Sequence, residues 1–323
     1  MLTDTPGIHH VTGLAGDAQA NLDFYTEVLG LRLVRRTVNL EDVLQYHLIY
    51  GNTDGSPGTV YTSFPARDAE DGRVGPPQPA SVAFAIPTGS LDDWRARLDA
   101  HGVAHETDSR FGADAEYADG AGGDAPRAET ALCFTDPDGT RLELVAADQP
   151  VEPWTSRVPD AMAIRGVFGV SVLSVDPYAT ASVLDTLGYD LLTQDGERVR
   201  YRASGDVGAV VDILERDVPF GREGAGVLHH VAVRVADEAD LHEWRDLFAE
   251  RDLRVSRVKD RHVFHSLYVR DSGGILFELA TDGPGVGVGQ DPDALGEALV
   301  LPGRYAEDRD LVESQLPALD DDP

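Results

Sequence analysis

GVLHHVAVRVADEADLHEWRDLFAERD, residues 226–252, reads as a strand that runs into a helix. Side chains alternate between the two faces of a strand, so His229, Val231, Val233 and Val235 share one face while His230 and Ala232 share the other. ADLHEWRDLFAERD is the helix that follows, and SLYVRDSGGILFELAT, residues 266–281, closes the unit as a hairpin. GIHHVTGLAGD, residues 7–17, begins the chain in the same way. After it, ANLDFYTEVLG places Leu22, Tyr25 and Leu29 or Val28 on one helical face and stops at Gly30, and three extended segments follow: LRLVRRTVN, LQYHLIYGN and GTVYTSFP.

Two further copies lie between these. SVAFAIP, from Ser81, leads to a helix capped by Ser90 with Leu91, Trp94 and Leu98 on one face, and ALCFTDPDGTRLELVA closes the copy. VFGVSVLSVD, from Val167, leads to PYATASVLDTLGY, VRYRASG and AVVDILER. The closing hairpins of copies two and four superimpose without a gap, pairing Asp136 with Asp271, Gly139 with Gly274 and Glu143 with Glu278. The pattern predicts an α+β protein of four tandem βαβββ modules, two per half, with cupped mixed sheets. The expected divisions are an N-terminal two-module domain over 1–149, a linker over 150–163, a C-terminal two-module domain over 164–281, and a tail over 282–323 that packs on the domains. The acidic, Gly/Ala-rich segment 104–129 is expected to be a mobile insertion in module two.

The 57 acidic and 27 basic residues give a formal net charge of −30. Such a field repels nucleic acid and anionic lipid, and because the acids are spread along the whole chain they suit a solvating surface in a salty cytoplasm. No apolar stretch approaches the roughly eighteen residues of a membrane span, and MLTDTPG lacks the basic start and apolar core of a signal peptide. The expectation is a cytoplasmic protein without nucleic-acid or membrane partners, with a homo-oligomer left open. Cys133 is the one cysteine, so metal ligands must come from His and carboxylate.

The order of modules resembles the vicinal oxygen chelate superfamily, the glyoxalase, bleomycin-resistance and extradiol-dioxygenase group, in which paired modules curl their sheets around a metal. In that fold a first strand supplies a His and a last strand a carboxylate. Module one offers His10 but no acid on GTVYTSFP, and module four offers both His230 and Glu278. Module two has Glu143 but Ser81 and Val82 where histidines would stand, and module three has neither His nor an aligned Glu. Pairing modules one and four gathers His10, His230 and Glu278, and the repeated HHV becomes two halves of one site. The second histidine of each pair is chosen because it shares a face with small Thr12 or Ala232. Two His and one carboxylate form the facial triad of non-haem Fe(II) oxygenases, which leaves coordination positions open.

A short hairpin loop at Ser272–Gly274 would set Tyr268 opposite Glu278, where its hydroxyl could donate to a substrate oxygen, and Arg261 could balance a phenolate. GIHHVT, FYTEVLGLRLVRRTVN, YHLIYGN, GTVYTSFP, GVLHHVA and GGILFELAT together resemble the hydroquinone-type ring-cleaving dioxygenases. That resemblance implies Fe(II), with Mn(II) as the alternative, at His10, His230 and Glu278, and Tyr268, Arg261, His9 and His229 around it as catalytic residues. The implied partners are a small aromatic substrate and O2. For His9 and His229, core packing and a proton-relaying role both stand. The rival readings are a glyoxalase-type isomerase, which would need a second acid in module one, and a metal-free ligand-binding protein of the bleomycin-resistance kind. Glu143 is expected in a surface or hairpin role; His47, His101, His105 and His242 fall outside the aligned positions, and His262 and His265 have no assigned role.

Overall fold

The computed structural model describes residues 2–112, 115–117 and 128–320. Its strands form two nine-stranded sheets. The first runs, edge to edge, through Arg254–Val255, Phe264–Arg270, Leu276–Pro284, Val227–Val235, Ile8–Ala15, Val60–Pro65, Tyr46–Gly51 and Arg32–Val38, with Lys259–Asp260 added beside Phe264–Arg270. The second runs through His105–Arg110, Glu129–Thr135, Arg141–Ala146, Gln78–Ile86, Val167–Leu173, Val210–Leu214, Arg198–Arg202, Asp190–Asp195 and Glu116–Tyr117. Each sheet therefore takes one module from either side of residues 150–163: one with four, and two with three. In both, the first strands of the two modules lie antiparallel at the centre, and each is flanked by the last strand of its own module in parallel.

Helices follow the first strands where a cap starts them. Asp17, Asp176 and Asp237 each accept a hydrogen bond from the backbone N–H three residues on, at 2.9, 3.1 and 3.0 Å, which satisfies one of the orphan donors of the first turn. Ser90 does not cap in this way, because its hydroxyl donates back to the carbonyl of Pro87 at 2.7 Å. Beneath the helices Trp94 and Leu98, and Leu241, Trp244 and Phe248, are buried, as are Leu22, Tyr25 and Leu29 in module one, where the helix ends in a π turn over Phe24–Val28.

The aligned aspartates have a shared cause. Asp136 Oδ1 accepts from the Thr140 N–H at 2.8 Å and Asp271 Oδ1 from the Ile275 N–H at 2.7 Å, so each closes its own hairpin. Their other oxygens reach a neighbouring module: Tyr25 donates to Asp136 at 3.1 Å and Thr180 to Asp271 at 2.6 Å. Segment 104–129 is not wholly the mobile insertion expected. His105–Arg110 is a strand paired with Glu129–Thr135, because its alternating residues meet a partner edge; residues 113–114 and 118–127 lie outside the described residues. The tail is fastened to module one, where the Val300 N–H donates to Arg36 O at 2.8 Å and Thr37 donates to Val300 O at 2.6 Å.

Candidate metal centre

His10 and His230 face each other across the central strand pair of the first sheet. Register shifts fall on both strands: His10 pairs with Ala232 and Thr12 with His230, while His9 and His229 are the extra residues of two bulges. A bulge sets two residues against one and re-aims their side chains. Strict alternation, by which only one histidine of each pair could enter the cup, therefore fails for the second pair, whereas of the first pair His10 lines the cavity and His9 does not. His229 lines the same cavity as His230, and the rings of His9 and His10 both pack on Phe264, with centroids 5.1 and 5.2 Å away.

The consequence is a matched pair of contacts. His9 Nδ1 lies 2.9 Å from His10 Nδ1, and His229 Nδ1 lies 2.7 Å from His230 Nδ1. An Nε2 free to ligate requires the ring hydrogen on Nδ1, which the preceding histidine accepts. Burial lowers the pKa of His9 to about 3 and of His230 to about 4, and depresses that of His229. All three are neutral acceptors or ligands near pH 7.

Glu278 stands on Leu276–Pro284 beside Ala232. Its Oε2 is 3.2 Å from His10 Nε2 and 2.8 Å from His230 Nε2. The three residues are at most 3% exposed. Despite these short distances, His230 Nε2 and both oxygens of Glu278 are buried without a well-directed hydrogen-bond partner. Buried polar atoms left so are costly, and lone pairs converging on one point are what a divalent cation satisfies. The ligand atoms lie within 4.8 Å of one another, and imidazole with carboxylate suits a first-row metal. Burial alone would raise the Glu278 carboxyl, but the two imidazoles overcome it and hold it well below the usual range.

Around the triad is a cavity of about 500 Å³. Val38, Leu40, Phe64, Phe264 and Leu276 give it apolar walls. Tyr268 pairs with Glu278 across the hairpin, as its spacing predicts, and accepts at its hydroxyl from Arg261 Nη2 at 3.2 Å. Burial raises the Tyr268 hydroxyl well above its ordinary pKa, so it is held as a proton donor. His47, His262 and Glu41 are among the further residues that line the cavity. His47 packs at a tilt on Phe64 with centroids 4.4 Å apart, and burial lowers its pKa to about 3. His262 occupies a left-handed turn at φ 66°, and Glu41 bridges Lys259 and Arg261. His265 lies 3.8 Å from Glu238 on the neighbouring helix.

The second sheet shows what replaces a metal. Ala83 lies beside Glu143 as Ala232 lies beside Glu278, and Ser81 stands where His230 does. Asp212, beside Ser171, holds the matching place in module three, so that module does carry an aligned acid, shorter by one carbon than the Glu sought. Glu143 is buried rather than at the surface. It accepts from Ser81 at 2.7 Å and pairs with Arg110, while Arg198 and Arg200 pair with Asp212 at 2.7 and 2.8 Å and Glu129 joins Arg110 to Arg200. Guanidinium groups neutralise the acids of this cup. The alternating arginines of RVRYR, residues 198–202, were the sequence signal for it.

The model of the Glyoxalase/Bleomycin resistance protein/Dioxygenase superfamily matches residues 7–144 and 165–279. The chain belongs to that superfamily. Relatives span almost all of it. "Putative ring-cleaving dioxygenase MhqO" of Bacillus subtilis is 37% identical over 319 residues, covering 98% of this chain and 97% of its own. "Chlorohydroquinone/hydroquinone 1,2-dioxygenase" of Sphingobium indicum is 32% identical over 289 residues, covering 85% of this chain and 84% of its own. The crystal structure of a "putative dioxygenase" from Bacillus subtilis subsp. subtilis str. 168 superposes with a TM-score of 0.91 at 36% identity, covering 98% of both chains. Glyoxalase I from Zea mays, at a TM-score of 0.56 and 17% identity, shares the fold of the superfamily.

Proposed function

We propose that the chain is an Fe(II)-dependent dioxygenase that opens a dihydroxylated aromatic ring, hydroquinone or catechol in type, and places both atoms of O2 in the product. The observation that carries this reading is a buried two-His, one-carboxylate triad opening onto a cavity of about 500 Å³ with apolar walls and a protonated tyrosine beside it. Relatives named as ring-cleaving dioxygenases support it. A metal bound by His10, His230 and Glu278 would lower the pKa of a coordinated ring hydroxyl from about 10 and give O2 a place next to it.

The chain's own residues do the rest. Phe264, Leu276 and Phe64 hold the ring and keep water from it. Tyr268 donates its proton to the oxygen that gains negative charge, and Arg261, hydrogen-bonded to Tyr268, balances that charge. His9 and His229 fix the ligand rings through their Nδ1 contacts. A glyoxalase-type isomerase would place a second acid beside Thr12, as Glu278 lies beside Ala232. Thr62 occupies that place, and its hydroxyl meets that of Thr12 at 3.0 Å.

The test is oxygen uptake by anaerobically Fe(II)-loaded protein given hydroquinones and catechols, with ¹⁸O2 and mass analysis of the product. The expected result is one O2 per ring and two labelled oxygens in an open-chain product. Tyr268→Phe should retain iron and slow turnover by about 100-fold. Turnover of a thiol adduct without O2, and none of any dihydroxybenzene, would favour the isomerase.

A further inference from the structure

The rim of the cavity carries a contact between modules one and four that ligating the metal does not require. Lys259 is the only lysine in 323 residues, and its ammonium donates to Glu41 Oε1 at 2.8 Å. Arg261 is a two-armed bridge: Nη1 donates to the same oxygen of Glu41 at 3.2 Å, and Nη2 to the Tyr268 hydroxyl at 3.2 Å. Glu41 comes from the turn between Arg32–Val38 and Tyr46–Gly51, and that turn is held in shape. The Glu41 N–H donates to Asn39 Oδ1 at 2.9 Å, the Asn39 amide donates to Gln45 at 2.7 Å, and Arg304 of the tail donates to the Leu40 carbonyl at 3.1 Å.

The Glu41 side chain is 64% exposed, and exposed ion pairs contribute little to stability. Its two partners, however, are the cations nearest the Tyr268 ring, at 5.6 and 5.4 Å from its centroid. Glu41 is their shared counter-charge. A guanidinium is a rigid planar fork, so fixing one arm sets the direction of the other. Without the carboxylate, Lys259 and Arg261 would repel each other and the Arg261 fork would turn on its flexible stem.

We propose that Glu41 is a positioning residue: by holding Lys259 and one arm of Arg261 it keeps the other arm on Tyr268 and closes the cavity rim between the two modules. The role rests on the dioxygenase reading above, with Tyr268 and Arg261 acting at the ring.

The single lysine supplies a readout independent of turnover. Fe(II)-loaded parent, Glu41→Gln, Arg261→Met and the double variant are compared by metal analysis, by thermal melting, by the rate of Lys259 acetylation with an amine-reactive ester read by peptide mass spectrometry, and by oxygen uptake with hydroquinone and catechol. Glu41→Gln should keep its iron and its melting temperature, acetylate severalfold faster at Lys259, and lose about tenfold in kcat, as expected for a displaced catalytic contact. In the Arg261→Met background the same change should cost nothing more, because its effect passes through Arg261. Full activity in Glu41→Gln, an equal loss in both backgrounds, or unchanged acetylation would each overturn the positioning role while an active parent leaves the dioxygenase reading standing. A parent that consumes no O2 with either diol would remove that reading, and the positioning role with it.

Discussion

At Glu278 two imidazole nitrogens meet one carboxylate oxygen, whereas at Glu143, the matching place in the other sheet, a guanidinium takes one oxygen and a serine hydroxyl the other. The difference predicts opposite outcomes for the same substitution. His10→Ala, His230→Ala and Glu278→Ala should each abolish tight metal binding, whereas Glu143→Ala should keep one metal per chain and lose about 2 kcal/mol of stability, because buried Arg110 loses one of its two carboxylates and keeps only Glu129. Elemental analysis and chemical denaturation of the four variants check both halves. His47 carries a pH prediction. Its folded pKa of about 3 lies below the ordinary 6.5 because the ring is buried. Between those values the unfolded chain binds more protons than the native one, so stability is full above pH 6.5 and is lost as pH falls toward 3. Asp136, raised to about 6 by burial, acts with the opposite sign over part of that range, so the diagnostic is a comparison. Urea melts of His47→Leu between pH 6.5 and 4 should show a shallower slope than the parent, by up to about 1.4 kcal/mol per pH unit.

The paired bulges explain why alternation names His10 and His230 as candidate ligands but does not set His9 and His229 against their Nδ1 atoms. Alternation assigns His9 and His229 to the opposite face, and a local insertion in the ladder brings them round to the ligands' Nδ1 atoms. Nothing in HHV marks a bulge, since the extra residue is defined only against the strand opposite. The hairpins, by contrast, were legible down to the residue: Tyr268 opposite Glu278 follows from loop length alone. Gly226, where Val227–Val235 begins, tests how tightly elements meet. It has φ +83°, donates to Leu14 O at 2.9 Å, and a Cβ there would lie 2.0 Å from the carbonyl oxygen of Asp138. Gly226→Ala should therefore cost about 2 kcal/mol or more in denaturant melts, through backbone strain and a clash that no side-chain rotation relieves.

Across the whole molecule the two sheets exchange modules, so the second ligand lies 220 residues from the first in the chain and next to it in space. A formal charge of −30 acts on that entire assembly. Like charges are unscreened over about 30 Å at 0.01 M salt and about 3 Å at 1 M, so the melting temperature should rise from low to molar KCl; equal values would show that the buried ion pairs, not the surface, govern stability. Among the described residues no helix is long and apolar enough to cross a membrane. The sequence by itself determined the four modules, because periodicity, caps and turn residues are local, and it singled out His10, His230 and Glu278 as the candidate triad, because only modules one and four carry those residue types. Only the tertiary structure decided the bulges, the guanidinium network that fills the second cup, and the Glu41 bridge at the rim. Each of these depends on which atoms face one another across strands distant in sequence, and residue type alone carries no record of that.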